Sequence, residues 1–196
     1  MDMEFIKQYR QAHYEIDPVY LKRWSSRSFT NEDVPEDILY SLFEAARWAP
    51  SAGNHQPWRF IIARSETDRK KFLTFMKRGN ATWCDKAPVL VAVVSQKKWE
   101  DDDKDYNPTH AFDTGAAWGF LAMEATRKGL VAHAMGGFDR EKAKATLNIP
   151  KDYDVHAIIA IGYRGDKQNL SPDLQARENP STRKSIKAFI SEGTFK

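Results

Sequence analysis

Apolar and polar positions along the chain change period several times, and those changes divide it into elements. Across residues 35–49, Ile38, Leu42, Ala45 and Ala46 recur at helical spacing while Leu39 and Phe43 broaden the apolar face, which predicts an amphipathic helix. Pro35, Glu36 and Asp37 suit its start, where a missing donor is harmless and carboxylates meet the positive end of the dipole, and Pro50 ends it. Residues 58–63 read as a strand and 66–78 as a charged helix carrying Phe72, Leu73, Phe75 and Met76. Residues 89–94 are apolar on both faces, as in a strand covered on each side. Asn107 and Pro108 open the longest expected helix, 108–128, and Gly129 closes it. A strand at 131–135, a short helix at 139–147 capped by Asp139, and a strand at 155–162 follow. The ends are weaker: a short helix at 4–14, an extended stretch at 24–29, and a polar run 164–196 with a short helix near 183–190.

Helices and strands interleave without an internal repeat, so the class is α+β or α/β around a central sheet. The 196 residues are enough for one domain and too few for two ordinary ones. Hydrophobic residues at 41% and charged residues at 29% mark a soluble globular chain. No apolar run approaches the roughly 20 residues of a membrane span, and the opening Met-Asp-Met-Glu-Phe-Ile-Lys lacks a secretory pattern, so the expected location is the cytoplasm. Cys84 is the only cysteine, which excludes an intramolecular disulfide and a Cys-X-X-Cys site; redox chemistry would need a bound cofactor. A net charge of +3 favours anionic ligands mildly but forms no concentrated basic stripe, so no nucleic-acid partner is expected. His55, His110, His133 and His156 are scattered without metal-ligand spacing, so no metal is expected. The acidic run 100–105 reads as a solvated loop. Trp83 and Trp118 read as core or interface residues.

Three segments are richer than packing requires. In Arg23-Trp24-Ser25-Ser26-Arg27 an extended backbone would put Arg23, Ser25 and Arg27 on one face and Trp24 on the other, and two guanidiniums with a hydroxyl suit a phosphate. The stretch from Ala49 to Trp58, Ala-Pro-Ser-Ala-Gly-Asn-His-Gln-Pro-Trp, combines stiffening prolines, a glycine that permits positive φ, and the hydrogen-bonding side chains Ser51, Asn54 and Gln56. Met135-Gly136-Gly137-Phe138-Asp139 would let backbone approach a flat ligand closely and offer its N–H groups. Taken singly, the plain readings are a solvated basic face, a stiff connector and a tight turn.

In this order, from Arg23 to Ile190, the segments resemble the nitroreductase family of flavoproteins. The resemblance implies an α+β fold with a mixed, largely antiparallel sheet flanked by helices, in an intertwined homodimer. It also implies FMN at the subunit interface and hydride passing from NADH or NADPH through flavin N5 to a small-molecule acceptor such as a nitroaromatic or quinone, by ping-pong kinetics. Carried over by position, Arg23 and Ser25 match phosphate ligands, with Trp24 and Ser26 in the same segment. Arg27 matches a residue at the pyrimidine edge or phosphate. Pro50, Ser51, Ala52, Asn54 and Gln56 match the segment the second subunit lays along the ring. Asn80 matches an asparagine bonding the ring, Met135, Gly136 and Gly137 match backbone near N5, and Arg183 matches a late cation returning to the phosphate. No catalytic side chain is implied, since the flavin carries the chemistry. One domain would span 1–196, with 164–196 as an arm, through Phe195, that wraps the partner.

Two features depart from the commoner pattern. Ala52 stands where serine is frequent, and the short acidic stretch between Ser95 and Asn107 replaces a longer excursion, so a lid would come from elsewhere, such as 164–180. Alternatives to the reductase are the same fold and FMN with dehalogenation, ene reduction or dehydrogenation, and a non-catalytic flavin- or anion-binding protein.

Overall fold

The computed structural model describes residues 3–99 and 106–195, and the acidic run 100–105 lies outside the described residues. Helices α1 (Met3–Lys7), α2 (Pro18–Lys22) and α3 (Glu36–Arg47) lead into β1 (Trp58–Ala63). Then come α4 (Glu66–Leu73), α5 (Arg78–Cys84), β2 (Val89–Gln96), α6 (His110–Arg127) and β3 (Leu130–Met135). The order closes with α7 (Arg140–Thr146), β4 (Tyr153–Tyr163) and α8 (Pro172–Gln175). The strands form one sheet in the order β1-β2-β4-β3, with every pairing antiparallel. The α+β class therefore holds, and the largely antiparallel sheet is antiparallel throughout the described strands.

Central β2 is buried along nearly its whole length, as its two-faced apolar pattern requires. Val89, Val91 and Val93 face a core built with Leu39, Leu42 and Ala46 of α3 and Ala117, Leu121 and Ala125 of α6. Leu90, Ala92 and Val94 face a second core with Phe72, Phe75, Trp83, Met135 and Phe138. The register between β2 and β4 slips at Val93/Val94, which adds local twist where His156 lies. Gly129, at φ 77°, closes α6, and the Asp139 carboxylate accepts the Lys142 N–H to cap α7.

Three expected elements differ. The helix expected over 66–78 breaks after Leu73, because Met76 bridges to Phe138 and the Lys77 N–H donates to Gly137 O; the chain then restarts as α5, which carries Asn80. The helix expected over 4–14 stops at Lys7, and Arg10 turns inward to donate to the carbonyls of Leu21, Arg23 and Ser181. Near 183–190 only a 3-10 turn over Ile186–Ala188 forms. Among the described residues no helix is long and apolar enough to cross a membrane.

Candidate functional site

The extended segment 23–28 alternates as its sequence requires: Trp24, Ser26 and Ser28 are buried, while Arg23, Ser25 and Arg27 are partly open. Arg164 lies 5.1 Å over the Trp24 ring, and the Ser26 hydroxyl donates into a buried carboxylate, so these two side chains point away from the open face. Any part they play in holding a ligand is through backbone. Arg23 and Ser25 line a cleft of about 710 Å³ with Tyr20, Ala134 and the α6 residues Ala116, Trp118, Gly119, Phe120 and Met123. That size suits a flat organic cofactor.

Charge around this segment is unbalanced. Arg10, only 8% exposed, is held down to about 10 first by burial and then by the Arg183 and Arg23 guanidiniums, and its Nη2 has no hydrogen-bond partner. Burial first and Arg183 second also lower Arg23. No carboxylate enters either balance. Arg27, lowered mainly by burial, is opposed by Glu178, whose carboxylate lies 3.8 Å from its guanidinium. Guanidiniums brought together in a part-buried place without a matching carboxylate form a site for an anion with several oxygens, as a phosphate monoester has.

The glycine turn lies at the end of β3. Gly137 O accepts from the Lys77 N–H at 3.0 Å and from Asn80 Nδ2 at 3.1 Å. A Cβ on Gly137 would stand 2.5 Å from Asn80 Nδ2, so a side chain there would push the Asn80 amide off the turn. Asn80 thus spends one donor on the turn and keeps its Oδ1 for another partner. The Met135 side chain is 3% exposed in the core, so its backbone alone can face a ligand.

The segment 50–56 is stiff and self-bonded. Gly53, Asn54 and Gln56 all have positive φ, Ser51 Oγ accepts the Gln56 N–H at 3.0 Å, and the Gln56 amide donates to Asn54 O at 2.9 Å. Ala52 N–H donates at 3.2 Å to Asp113, in the first turn of α6, which also accepts the Thr109 hydroxyl at 2.9 Å. The Arg23 cleft instead meets α6 between Ala116 and Met123. The cleft lining on α6 starts one turn, about 4.5 Å, beyond Asp113 and runs to Met123, about 15 Å beyond it. One subunit therefore sets Arg23 and Ser25 in the cleft, with Arg183 near enough to add to the burial that depresses Arg23, while Pro50, Ser51, Ala52, Asn54 and Gln56 of the same subunit do not line it.

Arg10, Asp113 and Glu178 escaped the sequence reading. A lone charged residue in a polar stretch gives no sign of burial, and their partners lie up to 171 residues away.

The sequence model described as the nitroreductase family matches residues 20–81 and 72–163. A solved oxidoreductase containing FMN is 41% identical, with a TM-score of 0.91 over 95% of this chain and 96% of its own. The NADH dehydrogenase of Thermus thermophilus is 28% identical over 75% of this chain and 85% of its own length. An iodotyrosine deiodinase solved with FMN and 3-iodo-L-tyrosine shares the fold, with a TM-score of 0.68 at 23% identity over 90% of this chain and 98% of its own.

Proposed function

The chain belongs to the nitroreductase family, and from that membership we propose an FMN-dependent oxidoreductase that draws electrons from NADH or NADPH and works as a homodimer. The observation that carries this reading is Arg23, which lines a cleft of about 710 Å³ and is opposed by burial and then by the charge of Arg183, with Arg10 depressed by burial and then by both and no carboxylate entering either balance. A phosphate of charge near −2 supplies the missing balance.

Arg23, Ser25 and Arg183 would hold the phosphate, with Arg27 at the pyrimidine edge or phosphate, where positive charge favours the reduced ring. Gly136 and Gly137 would bring backbone N–H donors to N5, held in place by Asn80. Pro50 to Gln56 of the second subunit would lie along the ring, because in their own subunit they meet the first turn of α6 and do not line the Arg23 cleft. Bound FMN would supply the hydride chemistry between the nicotinamide and the acceptor, with ping-pong kinetics and nitroaromatics and quinones as the acceptor class. The chain's part is to seat the ring and to lower water access to it.

A purified protein with a flavin spectrum that NADH or NADPH bleaches without oxygen supports the assignment. A colourless protein that cannot be reconstituted with FMN overturns it. The fold shared with a deiodinase favours, as second reading, the same cofactor working on a carbon–halogen bond. Turnover of a haloaromatic above that of a nitroaromatic and a quinone would select that reading.

A further inference from the structure

Glu178 is 1% exposed, and its carboxylate is the only one in contact with segment 26–28 among the described residues. Oε1 accepts from the Ser26 hydroxyl, from the Arg27 N–H at 2.8 Å and from the Ser28 N–H at 3.2 Å. Oε2 lies 3.1 Å from the same Arg27 N–H and 3.8 Å from the Arg27 guanidinium. Arg23 and Ser25 face the cleft on the other side of this segment, and the Arg27 guanidinium stays beside Glu178. We infer that Glu178 is the positioning residue of the phosphate site, fixing the register of segment 25–28 from behind so that Ser25 and Arg27 meet the phosphate together. The inference rests on the flavin reading above.

Two physical effects oppose each other here, and their signs differ. As a bare negative charge beside an anion site, Glu178 weakens phosphate binding, and removing it would tighten FMN. As a bracket, it satisfies two consecutive backbone donors and takes the short bond of the buried Ser26 hydroxyl, and it keeps Arg27 from swinging to solvent. Oriented charge-assisted bonds to the phosphate need the donors placed to within a fraction of an ångström, whereas a like charge behind the strand acts weakly through the intervening guanidinium. The bracket dominates.

The same anchor reaches the late cation. Beyond Glu178, Asn179 accepts from the Tyr9 hydroxyl at 3.1 Å and Ser181 O accepts from Arg10 Nε at 2.8 Å, so residues 178–181 are fastened step by step before Arg183. Tension released at Glu178 therefore loosens Arg183 as well as Arg27.

The test compares FMN with riboflavin, which differ by the phosphate alone. Glu178→Gln keeps one acceptor oxygen for Ser26 and Ser28 but turns an amide donor toward Arg27; Glu178→Asp keeps the charge but withdraws it by one methylene. Each variant is expected to lose FMN affinity by about tenfold, the equivalent of one charge-assisted bond. Riboflavin affinity stays as in wild type, and melting stays cooperative at a lower midpoint. Tighter FMN binding by Glu178→Gln, or wild-type affinity in Glu178→Asp, would show that charge alone matters and overturn the inference. A parallel loss of both flavins would reduce Glu178 to a fold-stabilising residue and overturn it too. A wild-type protein that binds both flavins equally, or neither, overturns the phosphate site itself; a wild-type preference that both variants retain overturns Glu178 alone.

Discussion

At the scale of single residues, the guanidinium cluster exchanges stability of the free protein for affinity toward an anion. Arg23 is held below the ordinary arginine range by burial and by Arg183, yet it keeps its charge near neutrality. Arg23→Ala should raise the FMN dissociation constant by roughly tenfold or more, leave riboflavin unchanged, and let the flavin-free protein melt no earlier, since a repulsion is removed. Titration calorimetry and thermal melts read both; an FMN affinity equal to wild type would count against the phosphate assignment. This residue was legible in the sequence because alternation in an extended segment needs only local information. His133 was not, being one of several scattered histidines until the fold packed its ring 4.6 Å from Trp83 and let its Nδ1–H donate to Ser26 O at 2.9 Å. Burial, opposed mainly by that hydrogen bond, holds His133 at about 4, below its ordinary 6.5. The unfolded chain then binds a proton that the fold refuses between those values. Stability is complete above pH 6.5 and falls as the pH drops toward 4, by about 3 kcal/mol. Denaturant midpoints measured across pH 4 to 7 should show this limb, and His133→Gln, which retains a donor for Ser26 O, should flatten it; an unchanged limb in the variant would assign the acid loss to other groups.

At the scale of elements, what the sequence disclosed depended on whether an element's own pattern or a distant contact decided it. Helix α3 and strands β1 and β2 follow from local periodicity. Helix α5 does not, because Arg78-Gly79-Asn80-Ala81-Thr82 has little helical preference and its start is set by Gly137 O accepting the Lys77 N–H. Helix α6 carries a message on its outer face. Phe112 is 81% exposed and Phe120 44%, and between them a Cβ at Gly115 or Gly119 would meet nothing within 4 Å. An apolar face with two small residues a turn apart fits close approach by the same helix of a second copy. In an isolated subunit Gly115→Leu should be harmless or stabilising, by about 0.5–1 kcal/mol from helix propensity. In solution it should yield a folded monomer that has lost FMN, read by sedimentation and by the flavin spectrum. A dimer that retains flavin would place the interface on another face.

At the scale of the whole molecule, the two halves of the proposed site lie at different levels of one helix. Asp113 ties Ala52 to the start of α6, while the Arg23 cleft opens beside Ala116 to Met123, from about 4.5 to about 15 Å further along the helix. Both lie along α6, so two copies packed antiparallel through its outer face would bring each subunit's segment 50–56 to the other's cleft. The tail agrees with this arrangement: residues 178–181 are fastened to their own subunit, and only beyond Arg183 do Phe189, Ile190 and Phe195 stand 70%, 60% and 100% exposed, available to a second copy. That geometry makes a complementation experiment decisive. Arg23→Ala damages the cleft half and Asp113→Ala, by freeing Ala52, damages the segment half. Each homodimer then has two defective sites. A mixed dimer gathers both lesions into one site and leaves the other intact, so mixing the two inactive proteins under exchange should restore FMN binding at one site per dimer. If each subunit instead builds its own site from its own residues, mixing restores nothing, because every cleft or its accompanying segment remains damaged whatever the pairing.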